Sequence, residues 1–448
     1  MSSDPALVAL RRFVENLLEA INKELHKQAV EGTTVQVNTT LQSPSTEQSV
    51  TVVAAPRVVS IDIFRGLTMA VMIFVNELSN AHGLPWWTYH APGNVNMMTY
   101  VDMVFPFFLF LVGMSLPLSI ERRLKRNSSL TALWLHVVIR VLALVVLGLI
   151  LANAGKADPM RMGFRGSIWA LAALASAALY LNVYAKSERF TPYFRMLRLL
   201  GLVGVIVLFI LFSRIGPHGN AAWIDGSYPE ILGFIGYSYL AAALLYIPTR
   251  RWDWAPPVWF ALLLLLCVAS TAKVIAFPGH IPLYFWPFGN GAMVSIVMAG
   301  VITSSIFLGR NRRPSWRKAI AQAVGFFLFT LAAGATLAPL GISKIRATPT
   351  WCLYSIAAAV LVFTLLYWIC DVRRWIGWAL FLLPAGSNAL LTYLLPDIWY
   401  FLMISMGSTY LETLFRTGWP AVLEALLFCL GVLWAAAGLT KIGIGLQL

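Results

Sequence analysis

A histidine, a carboxylate and an amide stand near the facing ends of two strongly apolar segments of the sequence. His90 lies in the loop between these segments, Asp102 opens the second, and Asn76 lies near the end of the first. A carboxylate beside an imidazole can fix its tautomer and raise its basicity. A nearby amide can donate a hydrogen bond to a carbonyl oxygen that gains negative charge. These are the groups needed for acyl transfer to an amine or hydroxyl.

The choice of mechanism follows from the nucleophiles that the sequence offers. No serine or cysteine stands in a recognisable nucleophile motif. We therefore expect direct attack by the acceptor, with His90 as general base, rather than an acyl-enzyme. Residue spacing alone leaves two other interpretations open, in which His90 is an ordinary polar loop residue and Asp102 caps a helix.

Two further charged residues, Asp62 and Arg65, interrupt the first apolar segment. An isolated charge within a bilayer costs about 2.5–3.5 kcal/mol on insertion scales. Three positions apart, they share one helix face and can form a pair. This pair and Asn76 can give one face of the helix a polar character, or the pair can be structural. With Asp102, the same residues could instead form the ion or proton path of a transporter or flippase, which is the alternative function.

The composition indicates a polytopic integral membrane protein, built as an all-α helical bundle. Of the 448 residues, 59% are hydrophobic and 12% are charged, whereas soluble domains average about 25% charged residues. The net charge of +14 resides in short loops between apolar segments. Membrane topology explains this charge better than nucleic-acid binding. The four cysteines lack paired metal-ligand spacing, so we expect buried core residues and no metal site.

We predict about 11–12 transmembrane helices from the apolar segments that are long enough to cross about 30 Å of hydrocarbon. The candidate segments are 61–78, 101–120, 131–152, 167–184, 197–213, 231–247, 257–275, 291–308, 319–340, 351–369, 377–396 and 420–438.

The loop charges predict an orientation. With both termini in the cytoplasm, the cytoplasmic segments carry 23 of the 33 lysines and arginines and the opposite loops carry seven. This asymmetry agrees with the positive-inside rule. His90 and Asn76 then lie on the outer side, which would be the periplasmic side of a bacterial inner membrane.

The N-terminal region differs from the rest of the chain. Residues 1–30 predict a cytoplasmic amphipathic helix, because Leu7, Leu10 and Val14 begin a series at helical spacing. Residues 31–56 are rich in serine and threonine and predict a flexible linker. Residues 57–448 form the predicted transmembrane domain. The helix could lie on the membrane surface or pack against a second copy, so a homo-oligomer stays open.

Other polar residues recur in the C-terminal third of the sequence. Lys344 is expected in an outer loop at the level of His90, where it could hold anionic groups of the acceptor or simply be solvated. Asn388 and Tyr393 could line a tunnel or tie helices together. We assign these three residues and Thr350 to substrate or CoA binding, together with Asp62 and Arg65. Arg140, near an inner helix end, could contact a CoA phosphate or a lipid phosphate.

Several ordered motifs resemble the heparan-α-glucosaminide N-acetyltransferase family and its bacterial relatives. The resemblance begins at residues Arg57 to Gly66 (RVVSIDIFRG) and continues in the motifs around Asn76, His90 and Asp102. The resemblance resumes at residues 344–351, 371–375 and 386–393, whereas residues 155–340 match mainly in hydropathy. The resemblance implies a polytopic membrane acetyltransferase.

The resemblance also implies a substrate pair. Members of the family take acetyl-CoA from the cytoplasmic side and deliver the acetyl group to an amino sugar on the other side. His90 corresponds to their catalytic histidine, and Asn76 to an asparagine beside the reacting thioester. In a bacterium, the acceptor would be an amino sugar of the cell wall or envelope, and the reaction a glycan modification.

Overall fold

The computed structural model describes residues 58–126, 128–184, 190–276, 281–309, 314–408 and 416–447. The predicted amphipathic helix of residues 1–30 and the linker of residues 31–56 lie outside the described residues. The first three long helices are α1 (Val59–Leu78), α2 (Val104–Arg126) and α3 (Leu130–Ala154). Two short 3-10 helices, Trp86–Thr88 and Tyr100–Met103, lie between α1 and α2.

The remaining described elements are almost entirely helical. The helices are α4 (Pro159–Met162), α5 (Gly166–Leu181), α6 (Thr191–Leu211), α7 (Glu230–Thr249), α8 (Ala255–Thr271), α9 (Ala292–Leu308), α10 (Trp316–Thr336), α11 (Pro349–Leu366), α12 (Leu383–Ser387), α13 (Ala389–Ser405) and α14 (Trp419–Lys441). Helix α11 continues as a π-helix (Tyr367–Val372), and two further 3-10 helices are Ala338–Leu340 and Gly377–Leu382. One small antiparallel hairpin pairs β1 (Arg214–Ile215) with β2 (Ala221–Ala222).

Each of the twelve predicted apolar segments is helical, so the all-α polytopic fold is confirmed. Within the described residues, eight helices are long and apolar enough to cross a membrane. The pair formed by residues 377–387 and helix α13 meets the same test as a ninth span, bent by 78°. Helices α5, α8 and α9 are apolar but shorter. The chain is therefore an integral membrane protein.

Glycines allow helices of the core to approach one another at backbone distance. A Cβ atom on Gly113 of α2 would lie 1.9 Å from the carbonyl oxygen of Val297 in α9. Similarly, a Cβ atom on Gly386 would lie 2.0 Å from the carbonyl oxygen of Asp62 in α1. Lipid offers little hydrophobic drive for helix association, so close packing at small residues supplies much of the stabilisation.

The four cysteines are free thiols and all are buried, as the sequence indicated. Cys267 and Cys352 are fully enclosed, and Cys370 and Cys429 are nearly so. They fill small spaces between helices, which is the usual role of an unpaired cysteine in a core.

Candidate functional site

The loop between α1 and α2 brings an imidazole and a buried carboxylate together. The Nδ1 atom of His90 lies 2.7 Å from the Oδ1 atom of Asp102. A carboxylate only accepts hydrogen bonds, so Nδ1 carries the hydrogen and Nε2 is left as the basic nitrogen. Asp102 is 1% exposed, whereas the His90 side chain is 45% exposed. The arrangement therefore holds the imidazole from its buried side and leaves its basic nitrogen accessible.

Local backbone geometry fixes the Asp102 carboxylate. Asp102 is the third residue of a 3-10 helix that Thr99 caps, and the two residues form a capping box. Its Oδ2 atom accepts hydrogen bonds from the backbone N–H groups of Thr99 (3.1 Å) and Ala91 (3.2 Å). The indole of the fully buried Trp351 donates to the Asp102 carbonyl oxygen at 3.1 Å. The Asp102 side chain thus takes part in the helix cap and also contacts the His90 imidazole.

Lys344 comes to the same histidine from a distant part of the chain. Its Nζ atom lies 3.3 Å from Nδ1 of His90, although 254 positions separate the two residues. Burial lowers the pKa of the Lys344 ammonium, while the nearby carboxylates of Asp102 and Glu230 raise it. Lys344 thus interacts electrostatically with Asp102 and with Glu230, which lines a neighbouring cavity.

Asn76 lines a cavity of about 210 Å³ at the end of α1. Within the part of the chain that the structure describes, no protein group hydrogen-bonds to its side-chain amide, so the amide can reach a ligand. Polar and apolar groups both line the cavity. The lining residues are Met72, Ile73, Asn76, Glu77, Asn80, Leu151, Glu230, Ile231, Tyr393, Pro396, Asp397, Tyr400 and Phe428.

Three carboxylates in this cavity were missed by the sequence analysis. The carboxylate of Glu77 accepts a hydrogen bond from the hydroxyl of Tyr400, and Glu230 accepts one from Tyr393 at 3.3 Å. Asp397, the third, also lines the cavity. Each lies in or at the edge of an apolar segment, where an acidic residue is costly and usually functional. Their positions in or beside apolar segments could have identified these three carboxylates from the sequence. No group of three or more potential ligands within the described residues could hold a metal ion.

Asp62 and Arg65 form the pair that their spacing predicted, with Nη1 of Arg65 3.1 Å from Oδ1 of Asp62. The guanidinium also donates to the carbonyl oxygen of Gly386 (3.0 Å) and to the hydroxyl of Ser115 (3.0 Å). The pair therefore joins α1 to α2 and α12. It lies at the opposite end of α1 from Asn76, so the structure does not bring it to the histidine.

Of the remaining expected site residues, Tyr393 lines the same cavity as Asn76, whereas Thr350 and Asn388 make hydrogen bonds within the protein. The buried hydroxyl of Thr350 donates to the carbonyl oxygen of Leu337 at 2.7 Å. The apolar segment 377–396 predicted one helix that would hold both Asn388 and Tyr393, and this is wrong, because Asn388 lies at the break between α12 and α13.

The Asn388 side chain holds the C-terminal end of the chain. Its amide nitrogen donates to the hydroxyl of Thr440 (3.0 Å) and to the carbonyl oxygen of Ile444 (2.9 Å), and its oxygen accepts from the backbone of Leu446 (3.1 Å). These three bonds use most of the hydrogen-bonding capacity of the amide. The geometry thus favours the helix-tying role that the sequence left open.

The fold and the polar groups define the class as a polytopic helical membrane protein with a polar site at one end of its first two helices. Residues 57–212 match a domain family described as a domain of unknown function (DUF5009). The chain is 37% identical to heparan-α-glucosaminide N-acetyltransferase of Homo sapiens over 98 residues, which is 22% of this chain and 14% of the human protein. It is 36% identical to the Mus musculus protein of the same name over 110 residues, which is 25% of this chain and 15% of that protein.

These matches agree with the resemblance that the motifs indicated. Over the matched part, the chain is similar to the heparan-α-glucosaminide N-acetyltransferases. The match spans about one seventh of the length of these curated relatives.

Proposed function

We propose that the protein is a membrane acetyltransferase that moves an acetyl group from acetyl-CoA to an amine of an extracytoplasmic amino sugar. The observation that carries the proposal is the 2.7 Å contact between His90 and the buried Asp102. It leaves an accessible imidazole nitrogen as a base, as direct transfer requires. The named relatives supply the acetyl group and the amino sugar as the substrate classes.

In this mechanism, the acceptor amine forms a bond to the acetyl carbon as the carbon–sulfur bond of the thioester breaks. Nε2 of His90 takes the proton of the amine, and Asp102 stabilises the imidazolium through Nδ1. The side-chain amide of Asn76 donates a hydrogen bond to the acetyl carbonyl oxygen as it gains charge. Acetyl-CoA supplies the thioester, and CoA leaves as the thiolate, which then takes the proton from Nε2 of His90, without an acyl-enzyme step.

The cavity beside Asn76 suits an amino sugar. Carboxylates of Glu77, Glu230 and Asp397 can hold an ammonium group and sugar hydroxyls, and the two tyrosines add hydrogen-bonding groups. Lys344 connects this cavity electrostatically to the histidine pair. Among the other residues assigned from sequence, Tyr393 fits the acceptor cavity. Asp62, Arg65, Thr350 and Asn388 would act by holding the helices that surround the substrates.

The direct test uses purified protein with acetyl-CoA that carries a labelled acetyl group and glucosamine as the acceptor. The amount of acetylated sugar, measured by mass spectrometry, and the amount of free CoA thiol should rise together, with one thiol released for each acetylated amine. Thermal stabilisation by CoA gives an independent readout, because a ligand at 100 times its Kd adds about 2.7 kcal/mol to stability. Absence of both signals would contradict the proposal.

A transporter is the second candidate, and the three cavity carboxylates favour it. Acidic residues inside membrane segments commonly form ion or proton paths. This function predicts uptake of an amino sugar into vesicles without any consumption of acetyl-CoA. Such uptake, with no acetylated product, would replace the acetyltransferase proposal.

A further inference from the structure

A cluster of cations lies where α2, α3 and α7 meet, away from the histidine site. Arg123 is in the last turn of α2, His136 and Arg140 are in α3, and Tyr239 is in α7. Both α2 and α3 pack against α7. Arg123 interacts electrostatically with Arg140 and with Tyr239, and His136 interacts with both arginines.

Arg140 is held in place but has unused donors. Its guanidinium carbon lies 4.7 Å above the centre of the Tyr239 ring, a cation–π contact with a ring that is 2% exposed. The Nε atom of Arg140 is buried and has no hydrogen-bond partner in the described part of the chain. A buried donor without a partner is uncommon, because desolvation is then left without compensation.

No acidic side chain balances this cluster within the described residues. Neither Arg123 nor Arg140 takes part in a salt bridge there, and no carboxylate is among the groups that act on Arg123 or His136. Grouped cations repel one another, and an arginine in a membrane segment is retained when an anion or a polar cavity faces it. The geometry therefore calls for an anion from outside the described residues.

We propose that Arg140, Arg123 and His136 form a binding site for a phosphate group. Arginine presents several N–H donors in a plane that matches two phosphate oxygens. Tyr239 orients the guanidinium, and the exposed Arg123 leaves the cluster accessible from the end of α2. The phosphate can belong to a soluble phosphorylated ligand such as coenzyme A or to an anionic lipid. The site requires only a phosphate group, so it stands whether or not the protein transfers acetyl groups.

The test compares Arg140→Gln and Arg123→Gln with Arg122→Gln, an exposed position next to Arg123 that removes the same charge outside the cluster. One arm titrates the full-length protein in detergent with coenzyme A, with phosphate-free pantetheine as the comparison ligand. The other arm measures phosphatidylglycerol retained by the protein from nanodiscs, by native mass spectrometry.

If the phosphate is that of a soluble ligand, Arg140→Gln weakens coenzyme A binding by at least about tenfold, and Arg122→Gln leaves it unchanged. If it is that of a lipid, Arg140→Gln loses retained phosphatidylglycerol and Arg122→Gln keeps it. Either result supports the site and identifies its source. Should Arg140→Gln fail to fold, the exposed Arg123→Gln decides with the same readouts. The proposal would be overturned if the folded cluster variants bound coenzyme A and phosphatidylglycerol as well as Arg122→Gln does.

Discussion

The Nζ atom of Lys344 lies 3.3 Å from Nδ1 of His90, on the same nitrogen that faces the Asp102 carboxylate. A cation and an anion thus meet at one side of the imidazole, and Nε2 on the other side is left free of both. Lys344 also interacts with Glu230, a lining residue of the cavity that contains Asn76. Through Lys344, this arrangement connects the His90–Asp102 pair with the cavity, although their residues come from separate parts of the chain.

His90→Ala should abolish acetyl transfer while coenzyme A binding persists, because the substitution removes the base but leaves the buried Asp102 network folded. Loss of a general base typically lowers the rate by about 10²–10⁴-fold. The measurement is product formation at saturating substrates, with binding followed by thermal shift. His82→Ala is the matched control, since His82 lies in the same loop and hydrogen-bonds to Arg416 and Gly418 through its backbone. A comparable loss in the control would contradict a specific role for His90.

Asp102→Asn should lower kcat by about 10²–10⁴-fold and change the KM for acetyl-CoA little, because the amide no longer fixes the tautomer of His90 or stabilises its imidazolium. We also expect reduced thermal stability, since the carboxylate accepts hydrogen bonds from the Ala91 and Thr99 backbone. Glu121→Gln, an exposed position at the other end of α2, serves as the control. A rise in KM without a fall in kcat would argue against the proposed role.

The charge of Lys344 predicts a pH dependence. Burial lowers the pKa of this ammonium, so its charge is lost at a lower pH than that of an exposed lysine. Activity that depends on the charge should therefore fall on the alkaline side. Lys344→Arg, which stays charged, should remove this decline, and Lys344→Met should reduce activity by about tenfold below the pH of the decline and match the wild type above it. Alkaline limbs that coincide in the wild type and Lys344→Arg would refute the assignment.

Asn76→Ala should reduce kcat by about 10²–10³-fold, the usual effect of removing one donor to a developing oxyanion. The side chain lines the cavity, so its removal leaves the packing of α1 intact. Asn94→Ala, an exposed asparagine in the next loop, provides the control. Steady-state kinetics with acetyl-CoA and glucosamine make the measurement, and an effect confined to KM would show that Asn76 only binds substrate.

Gly113→Ala should destabilise the bundle by about 1–3 kcal/mol, because the added methyl group forces α2 away from α9. The new Cβ atom would otherwise lie 1.9 Å from the Val297 carbonyl oxygen. Gly431→Ala in α14 is the control, since a Cβ atom there meets nothing within 4 Å. Thermal unfolding in detergent should show a lower Tm for the first variant and no loss for the second.

The helices and the site contacts between residues close in sequence could be predicted, whereas the site contacts between residues far apart in sequence could not. Apolar segments long enough to span a membrane have few folds open to them, so hydropathy alone located the helices. Residue types pointed to the contact between His90 and Asp102, twelve positions apart, and a local helix cap produces it. The pairing of Tyr393 with Glu230 joins positions 163 apart, and it depends on the tertiary structure that brings the first residue of α7 to α13.

The bend at Asn388 illustrates the same limit. The sequence predicted one continuous helix there, because the hydropathy does not change across the break. The interruption coincides with the backbone contact of Gly386 against Asp62 and with the three hydrogen bonds of the Asn388 side chain. Both are tertiary interactions, which local periodicity does not encode.

The most direct test of the proposed mechanism uses proteoliposomes with glucosamine enclosed and labelled acetyl-CoA added to the face that carries the basic loops. We expect labelled N-acetylglucosamine inside vesicles that contain the wild-type protein, and none with His90→Ala at equal protein content and orientation. Equal labelling by the two proteins would contradict the central role of His90 as the base that receives the amine proton.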